Sequence, residues 1–284
     1  MARHANAQKG NPVSHAVVAS AASSCQNPHL FSGCGFPAPS INDFYFTPFF
    51  KVGSVGFGKP GLLLLLSTII VIVFFFAAFW KPKIVPGVMQ NLGEMGVLFV
   101  RDQILRPQLG KKGDKWLPFL VSLFFFIWVN NIMGIIPILY FPAMSKFGYP
   151  VFLAGMVWLI YMGLGFWKQG FLGYWRTLLI PSGSPWWILP LLIPIEFLSN
   201  VLVRPFTLSV RLFANMLAGH VLLLVFSLAT WYLLSLSIGI LYSATSFFVL
   251  ILVTGLEVLV QALQAFIFTI LTATYISGAY EAAH

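Results

Sequence analysis

The feature that most constrains this chain is an uncharged apolar run from Gly61 to Trp80. About twenty helical residues rise roughly 30 Å, which matches the hydrocarbon core of a bilayer. Only 8% of all residues are charged, whereas about 25% is usual in soluble domains. So few charges cannot cover the surface of a soluble domain of 284 residues. The sequence therefore predicts an integral membrane protein.

Further apolar stretches predict five membrane crossings and one amphipathic helix that lies in the interface. The expected fold class is an all-α membrane protein. The last two predicted helices are about twice as long as a perpendicular span requires, so they must tilt strongly, kink or lie partly along the membrane. In chain order the predicted helices are 61–80, the interfacial 88–107, 116–140, 149–167, 187–232 and 236–280. A loop is expected over 168–187.

Residues 1–55 differ from the rest, because they are rich in Gly, Pro, Ser and Asn and contain no run long enough to span a bilayer. We expect them to form an extramembrane leader ahead of a membrane domain at 56–284. Residues 16–24 faintly resemble a signal-peptide core, yet no convincing cleavage site follows. Cys25 and Cys34 are too few for a disulfide scaffold or a metal site, and both a disulfide between them and two unpaired thiols remain open.

The basic residues are read as topology signals. The net charge of +9 comes from residues placed singly or in small groups between apolar runs, which disfavours nucleic acid as a partner. Most of them fall between the first and second spans or after the predicted hairpin, and that side is expected to be cytoplasmic. The N-terminus is then outside and the C-terminus cytoplasmic. The basic residues of the predicted cytoplasmic side are Lys81, Lys83, Arg101, Arg106, Lys111, Lys112, Lys115, Lys168 and Arg176.

Ionisable residues within the last two helices are the most informative part of the sequence. An Arg or Asp at the centre of a membrane helix costs about 2.5–3.5 kcal/mol, so such residues mark a water-filled path or a charged partner. Glu196 lies 15 residues before Arg211, about 22 Å along a straight helix, and cannot neutralise it. Arg211 therefore needs a partner from elsewhere.

Polar residues share one face on each of these two helices, because they recur at helical spacing. The pattern predicts an antiparallel pair whose polar edges lie near one another or face a common partner. The alternative is that the amides serve only as hydrogen-bonded packing contacts. The residues are Arg204, Arg211 and Asn215 on the first helix and Glu257, Gln261 and Gln264 on the second.

His220 lies nine residues beyond Arg211, about 180° around an ideal helix, and is therefore expected on the opposite face. A neutral imidazole beside a carboxylate makes a good proton relay. Glu257 on the following helix is the candidate carboxylate. For His220 taken alone, an interhelical hydrogen bond is the competing interpretation.

Three segments resemble the signature helices of subunit a of bacterial F-type ATP synthases. They read RPFTLSVRLFANMLAGH at 204–220, EVLVQALQAFIFTILTATYISGA at 257–279 and FFFIWVNNIMGIIP at 124–137. The resemblance implies the stationary subunit of a membrane rotary motor in the bacterial inner (plasma) membrane. It also implies two offset proton half-channels that load and unload a rotating c-ring, with subunit b of the peripheral stalk and the rest of the complex as further partners.

The resemblance also implies roles for single residues. Arg211 matches the arginine that faces the c-ring carboxylate, and Asn215 and Gln264 match residues beside it, Gln264 steadying the guanidinium. His220 and Glu257 match a relay pair, here with acid and imidazole exchanged relative to some members, in the half-channel open to the outside.

Other matches concern the lining of the two half-channels. Asn131 is expected to line the outer channel. Glu196, with Ser199 and Asn200 nearby, resembles the acid of the cytoplasmic channel, and Gln261 and Arg204 are expected to support the path. Glu196 precedes Arg204 by eight residues where seven are expected, so a π-bulge must absorb one residue or the acid points elsewhere.

No nucleotide site is expected in this chain, since it contains no GxxxxGK[ST] segment. The chain is not expected to be an enzyme by itself or to hold a cofactor or metal. Two other classes compete with a proton-conducting stator subunit. A self-contained secondary transporter or channel would usually show an internal repeat, which is missing. A purely structural assembly subunit predicts that replacing Arg211 only perturbs folding.

Overall fold

The computed structural model describes residues 50–52, 55–57, 59–136, 144, 146–180, 187–232 and 239–281. Cys25, Cys34 and the stretch 16–24 lie outside these ranges, so the predictions made for them stay predictions. A short antiparallel hairpin of β1 (Phe50–Val52) and β2 (Val55–Phe57) precedes the first helix, with Lys51 opposite Gly56. All the longer elements in the described ranges are helices.

The helices follow the apolar runs of the sequence closely. They are α1 (Lys59–Phe79), α2 (Val88–Phe99), α3 (Arg106–Leu109), α4 (Leu117–Ile135), α5 (Gly148–Gln169), α6 (Phe171–Leu179), α7 (Leu189–Phe197), α8 (Arg204–Tyr232) and α9 (Gly239–Glu281). A π-helical turn at Val100–Leu105 joins α2 to α3, and a second at Leu198–Val203 joins α7 to α8. A 3-10 turn at Gly110–Trp116 leads into α4.

Five helical segments are long and apolar enough to cross a membrane, which confirms the predicted fold class. They are Pro60–Phe79, Gly113–Ile135, Gly148–Gln169, Leu189–Thr230 and Ile240–Tyr280. The segment predicted as an interfacial helix, 88–107, is helical but is not among them. The last two segments have 42 and 41 residues, about 60 Å of helix each, so by length alone each must tilt strongly, bend or lie partly along the membrane.

One predicted helix end and one predicted loop were wrong. Regular helix in α4 ends at Ile135, whereas the sequence predicted continuation to 140; residues 137–140 lie outside the described ranges. The predicted loop at 168–187 contains α6, because Gly170 adopts a φ of +73°, ends α5 and lets a new helix start in another direction. The Gly, Pro and Ser content of this stretch concealed a short amphipathic helix.

The buried core is built by α4, α5, the first part of α8, the last part of α9 and the first π-helical turn. Ile104, Ile127, Leu212 and Phe268 are each 0% exposed and belong to one hydrophobic cluster. By contrast α1 exposes large apolar side chains such as Ile72, as expected for a helix that faces lipid. Residues 223–253 belong to a different compact unit from the one that contains residues 41–222 and 254–284.

The C-terminal end of α9 lies beside the start of α4 and the end of α5. Trp116 Nε1 donates a hydrogen bond to the Tyr280 hydroxyl at 3.3 Å, and Gln169 Nε2 donates to the Ala279 carbonyl at 3.2 Å. Lys115 Nζ lies 4.8 Å from the centre of the Tyr280 ring, which suits a cation–π contact. The end of α9 therefore shares one side of the molecule with two of the lysines that predicted a cytoplasmic face.

Helices α5 and α6 approach so closely that one position accepts only glycine. A Cβ atom added to Gly165 would overlap the ring of Tyr174, which is 4% exposed. Gly163 on the same helix has nothing within 4 Å of the corresponding point. The two glycines thus differ in what surrounds them, although they lie two residues apart.

We expect Gly165→Ala to lower the free energy of unfolding by about 1–3 kcal/mol, because the Tyr174 ring must move out of a close-packed site. Thermal unfolding in detergent measures the effect. Gly163→Ala is the matched control and should be neutral or slightly stabilising. Equal midpoints for the two variants would contradict the close α5–α6 packing.

Candidate functional site

Arg211 lies near the middle of the fourth span and its side chain is exposed. It shares its helix face with small or apolar exposed residues, Ala214, Ala218 and Leu222. Among the described residues no acidic side chain forms a salt bridge with it. An exposed cation on an apolar, membrane-facing surface requires a charged or polar partner on that surface.

Helices α8 and α9 meet through the polar stripes, as the sequence predicted. Asn215 Nδ2 donates a hydrogen bond to Gln264 Oε1 at 2.7 Å, one turn beyond Arg211. Gln264 therefore contacts the arginine's helix through Asn215, which is a different contact from the predicted one with the guanidinium. Gln264 is 2% exposed and Asn215 is half-buried, and this amide pair fixes the register of the two helices beside Arg211.

Glu257 is buried against α8, and Gly219 makes room for it. The carboxylate accepts a hydrogen bond from Gln261 Nε2 at 3.0 Å. A Cβ atom on Gly219 would overlap both carboxylate oxygens of Glu257. The next residue, His220, is 4% exposed, and Glu257 is 7% exposed. The structure thus brings the predicted relay residues to the same part of the helix pair, with Arg211 on the opposite, exposed side of α8.

Asn131 of α4 joins this group from the other side. Its Nδ2 donates to the backbone carbonyl of Gln261 at 3.3 Å. Several buried polar atoms nearby have no hydrogen-bond partner among the described residues: Asn130 Oδ1, Asn131 Oδ1, Gln261 Oε1 and Gln264 Nε2. Buried polar atoms are nearly always hydrogen-bonded to protein or to water, so this cluster has the character of a hydrated region. We call it the amide cluster, consisting of Asn131, Glu257, Gln261 and Gln264.

A second polar region is a cavity of about 270 Å³ near the end of α9 that carries Tyr280. Glu196 and Arg204 both line it, so the predicted acid and arginine share one space. We call it the Glu196 cavity, and its lining residues are Tyr161, Tyr174, Thr177, Leu178, Glu196, Asn200, Arg204, Tyr275, Gly278 and Ala279. Of the two alternatives that the spacing left open, the structure has the π-bulge, since the π-helical turn Leu198–Val203 lies between the two residues.

Hydrogen bonds connect the walls of the Glu196 cavity. Asn200 Nδ2 donates to Glu196 Oε2 at 2.9 Å and to the Leu178 carbonyl at 3.2 Å. The Arg204 guanidinium lies 5.2 Å from the centre of the Tyr275 ring. Burial raises the pKa of the Tyr174 phenol, with Arg204 opposing the shift, so this hydroxyl stays protonated at neutral pH. Ser199 lies in the π-helical turn, half-buried and outside the set of lining residues.

A dry layer separates the two polar regions. Leu208 and Leu212 on α8 and Phe268 on α9 are at most 2% exposed and belong to one apolar cluster. The buried hydroxyls of Thr269 and Thr272 are satisfied by carbonyls of their own helix. Gln264 and Tyr275, one in each polar region, are eleven residues or about 16 Å apart along α9. The described residues of this layer are thus apolar or have their hydroxyls bonded within their own helix.

Sequence reasoning missed several residues of these regions. Gly219, Tyr161 and Tyr174 carry no periodic or charge signal, and only their neighbours in space reveal them. The described residues contain no group of three or more His, Cys, Asp or Glu that could hold a metal ion.

Comparison with known proteins matches residues 61–277 to the family described as ATP synthase A chain. The chain is 46% identical over 259 residues to ATP synthase subunit a of Streptomyces lividans, which covers 90% of this chain and 92% of that protein. It is 42% identical over 265 residues to the protein of the same name from a Nocardioides species, covering 89% and 96%. The Rhodococcus erythropolis protein of that name is 39% identical over 255 residues, covering 87% and 91%.

We expect Gly219→Ala to expel the Glu257 carboxylate from its place against α8, because the new methyl group would occupy the position of both oxygens. The reaction of Glu257 with a carbodiimide, followed by mass spectrometry, should become faster. Gly255→Ala on α9, where nothing lies within 4 Å, is the control. Unchanged Glu257 reactivity in Gly219→Ala would contradict this packing.

Proposed function

Because the chain belongs to the ATP synthase subunit a family, we propose that it supplies two offset proton half-channels and presents Arg211 to the carboxylates of a rotating c-ring. Family membership makes the chain a bacterial membrane protein of the proton-translocating sector and a subunit of a complex. The observation that carries the finer proposal is the dry layer between the two polar regions, with Arg211 exposed beside it.

Arg211 acts as a fixed positive charge on the surface that meets the c-ring. A cation close to a passing carboxylate favours its ionised form, so each c subunit releases its proton as it approaches Arg211. The same charge repels protons and blocks a direct leak between the half-channels. Ala214 and Ala218 on this face leave space for another helix to approach closely.

The amide cluster and His220 form the half-channel on the outer side. His220 and Glu257 pass a proton between imidazole and carboxylate, which neutral His and an acid can do near working pH. The unpartnered amide atoms of Asn131 and Gln261 bind the water that brings protons to this pair. Asn215 and Gln264 hold α8 and α9 together between this channel and Arg211.

The Glu196 cavity forms the half-channel on the other side. Glu196 takes up and releases protons, and Arg204, which stacks on Tyr275, gives the cavity a positive potential. The cavity lies toward the lysine-rich end of the molecule, which supports a cytoplasmic opening, with the C-terminus on the same side and the N-terminus outside.

Protons cross the membrane only while bound to the c-ring carboxylates, because the described residues around Leu212 and Phe268 offer no polar path inside the chain. Rotation thereby becomes coupled to proton flow and, through the rest of the complex, to ATP synthesis. The partners in this account are the c-ring, subunit b of the peripheral stalk and the remaining subunits. The chain itself carries out no bond chemistry.

The proposal predicts that Arg211→Ala leaves an assembled complex that no longer couples rotation to proton flow. A nearby opposite charge shifts a proton equilibrium by about ten- to a thousandfold, so ATP-driven acidification of vesicles should fall at least tenfold. Passive proton leak should increase.

The control is Arg176→Ala, an exposed arginine of α6 outside both polar regions, and co-purification of the c-ring verifies assembly. Parental pumping by an assembled Arg211→Ala complex would overturn the proposed role. Activity of the purified chain alone would instead favour a self-contained transporter.

A further inference from the structure

We infer that Tyr161 and Asn200 are positioning residues that hold the Glu196 carboxylate in its cavity. Tyr161 stabilises the π-helical turn at Leu198–Val203 through the Asn200 carbonyl, and the Asn200 side chain donates a hydrogen bond to the carboxylate. The inference rests on the proposed role of Glu196 in the cytoplasmic half-channel. It adds Tyr161, which the sequence did not select, and gives Asn200, known from the sequence only as a neighbour of Glu196, a defined contact. It also explains the extra residue between Glu196 and Arg204.

The π-helical turn leaves one backbone carbonyl without its usual donor. The Arg204 N–H, which in an α-helix would bond to the Asn200 carbonyl, donates instead to the Ser199 carbonyl. The donor five residues after Asn200, which the π-helical pattern would use, is position 205, and Pro205 has no N–H. The Asn200 carbonyl therefore receives no hydrogen bond from its own helix.

Tyr161 of α5 supplies the missing donor. Its hydroxyl donates to the Asn200 carbonyl at 3.0 Å, and both residues are at most 3% exposed. A buried carbonyl without a partner is costly, so this bond stabilises the π-helical turn relative to an ordinary α-helix. If Leu198–Val203 formed an ordinary α-helix instead of the π-helical turn, Glu196 would rotate away from Arg204, because eight residues of α-helix place the two side chains on different faces.

The Asn200 side chain completes the connection to the carboxylate. Its Nδ2 bridges Glu196 Oε2 at 2.9 Å and the Leu178 carbonyl at 3.2 Å, so Asn200 is tied to α5, α6 and α7 at once. The neighbours of Glu196 along α7, Ile195 and Phe197, are 54% and 43% exposed. Without Asn200, the acid sits on a helix whose other side chains largely face outward.

The Asn200 amide is the donor that contacts Glu196 in the cavity. Besides Glu196, the ionisable side chains that line the cavity are Arg204, Tyr161, Tyr174 and Tyr275. Arg204 stacks on Tyr275, and among the described residues it forms no salt bridge with Glu196. A neutral amide orients a carboxylate without fixing it in the charged state as strongly as an ion pair would, which suits a group that exchanges protons.

The test is Tyr161→Phe, which removes one oxygen atom, in the whole complex reconstituted in vesicles. We expect ATP-driven pumping to fall about three- to tenfold, the value of one hydrogen bond. The acidic limb of its pH profile, with pH varied on the side of Lys168, should move to higher pH, because a loosened amide bond favours protonated Glu196. The control is Tyr149→Phe on the same helix, outside the cavity.

A double-mutant comparison separates positioning from a general structural role. In a Glu196→Gln background, Tyr161→Phe should have no further effect on rate or pH profile. A full additional loss in that background would overturn the inference. If Glu196→Gln impairs pumping while Tyr161→Phe leaves the pumping rate and the pH profile unchanged, the positioning role of Tyr161 is overturned and the proposed role of Glu196 stands. If Glu196→Gln pumps normally, the proposed half-channel role fails and the inference with it.

Asn200→Asp provides a second variant that keeps the Tyr161 bond to the backbone carbonyl. It replaces the amide donor beside Glu196 with another carboxyl group. The pH profile should then move in the same direction as in Tyr161→Phe and by a larger amount. An unchanged profile in an assembled Asn200→Asp complex would overturn the inference even if Tyr161→Phe fails to assemble.

Discussion

An arginine near the middle of a candidate membrane span, with no acidic partner among the described residues of its own chain, is the constraint on which the rest of this structure depends. Even on a lenient scale its insertion costs about 2.5–3.5 kcal/mol, so Arg211 must be kept in place by stable packing behind it. Leu212, the next residue, is 0% exposed, and Asn215 is bonded to Gln264 one turn on. The buried back of α8 thus keeps the charge on the surface, where the proposed function has the c-ring carboxylates neutralise it.

The two polar regions have different physical characters, and this difference fits their proposed tasks. The amide cluster consists of buried side chains, several of whose polar atoms have no hydrogen-bond partner among the described residues and can therefore bind water. The Glu196 cavity is an open space whose walls include three tyrosines and an arginine, and a widened helical turn shapes it. Between them, Leu208 and Phe268 keep the interior dry. Separation by apolar packing, with the Arg211 charge exposed beside the apolar layer, is a simple way to stop a leak.

The sequence allowed the spans, the exposed arginine and the facing polar stripes to be predicted, because uncharged runs and helical periodicity are local properties. The eight-residue spacing before Arg204, one more than the resemblance implies, left open either a π-bulge or an acid that points elsewhere, and the structure has the π-helical turn. The sequence could not reveal Gly219 or Tyr161, since each matters through a residue far along the chain, Glu257 or Asn200. Helix α6 was missed because the Gly, Pro and Ser residues of this stretch are typical of a loop. The sequence does not show that Gly170 adopts a positive φ and lets a new helix begin.

The central claim is that the two polar regions open to opposite sides of the membrane. Single cysteines at Asn131 and at Thr177, in a chain whose own Cys25 and Cys34 are replaced by Ser, test it directly. Inhibition of ATP-driven pumping by silver ion, added separately to each side of vesicles, is the measurement. The account predicts that N131C is blocked only from the outer side and T177C only from the side of Lys168. Blockage of both variants from the same side would contradict it.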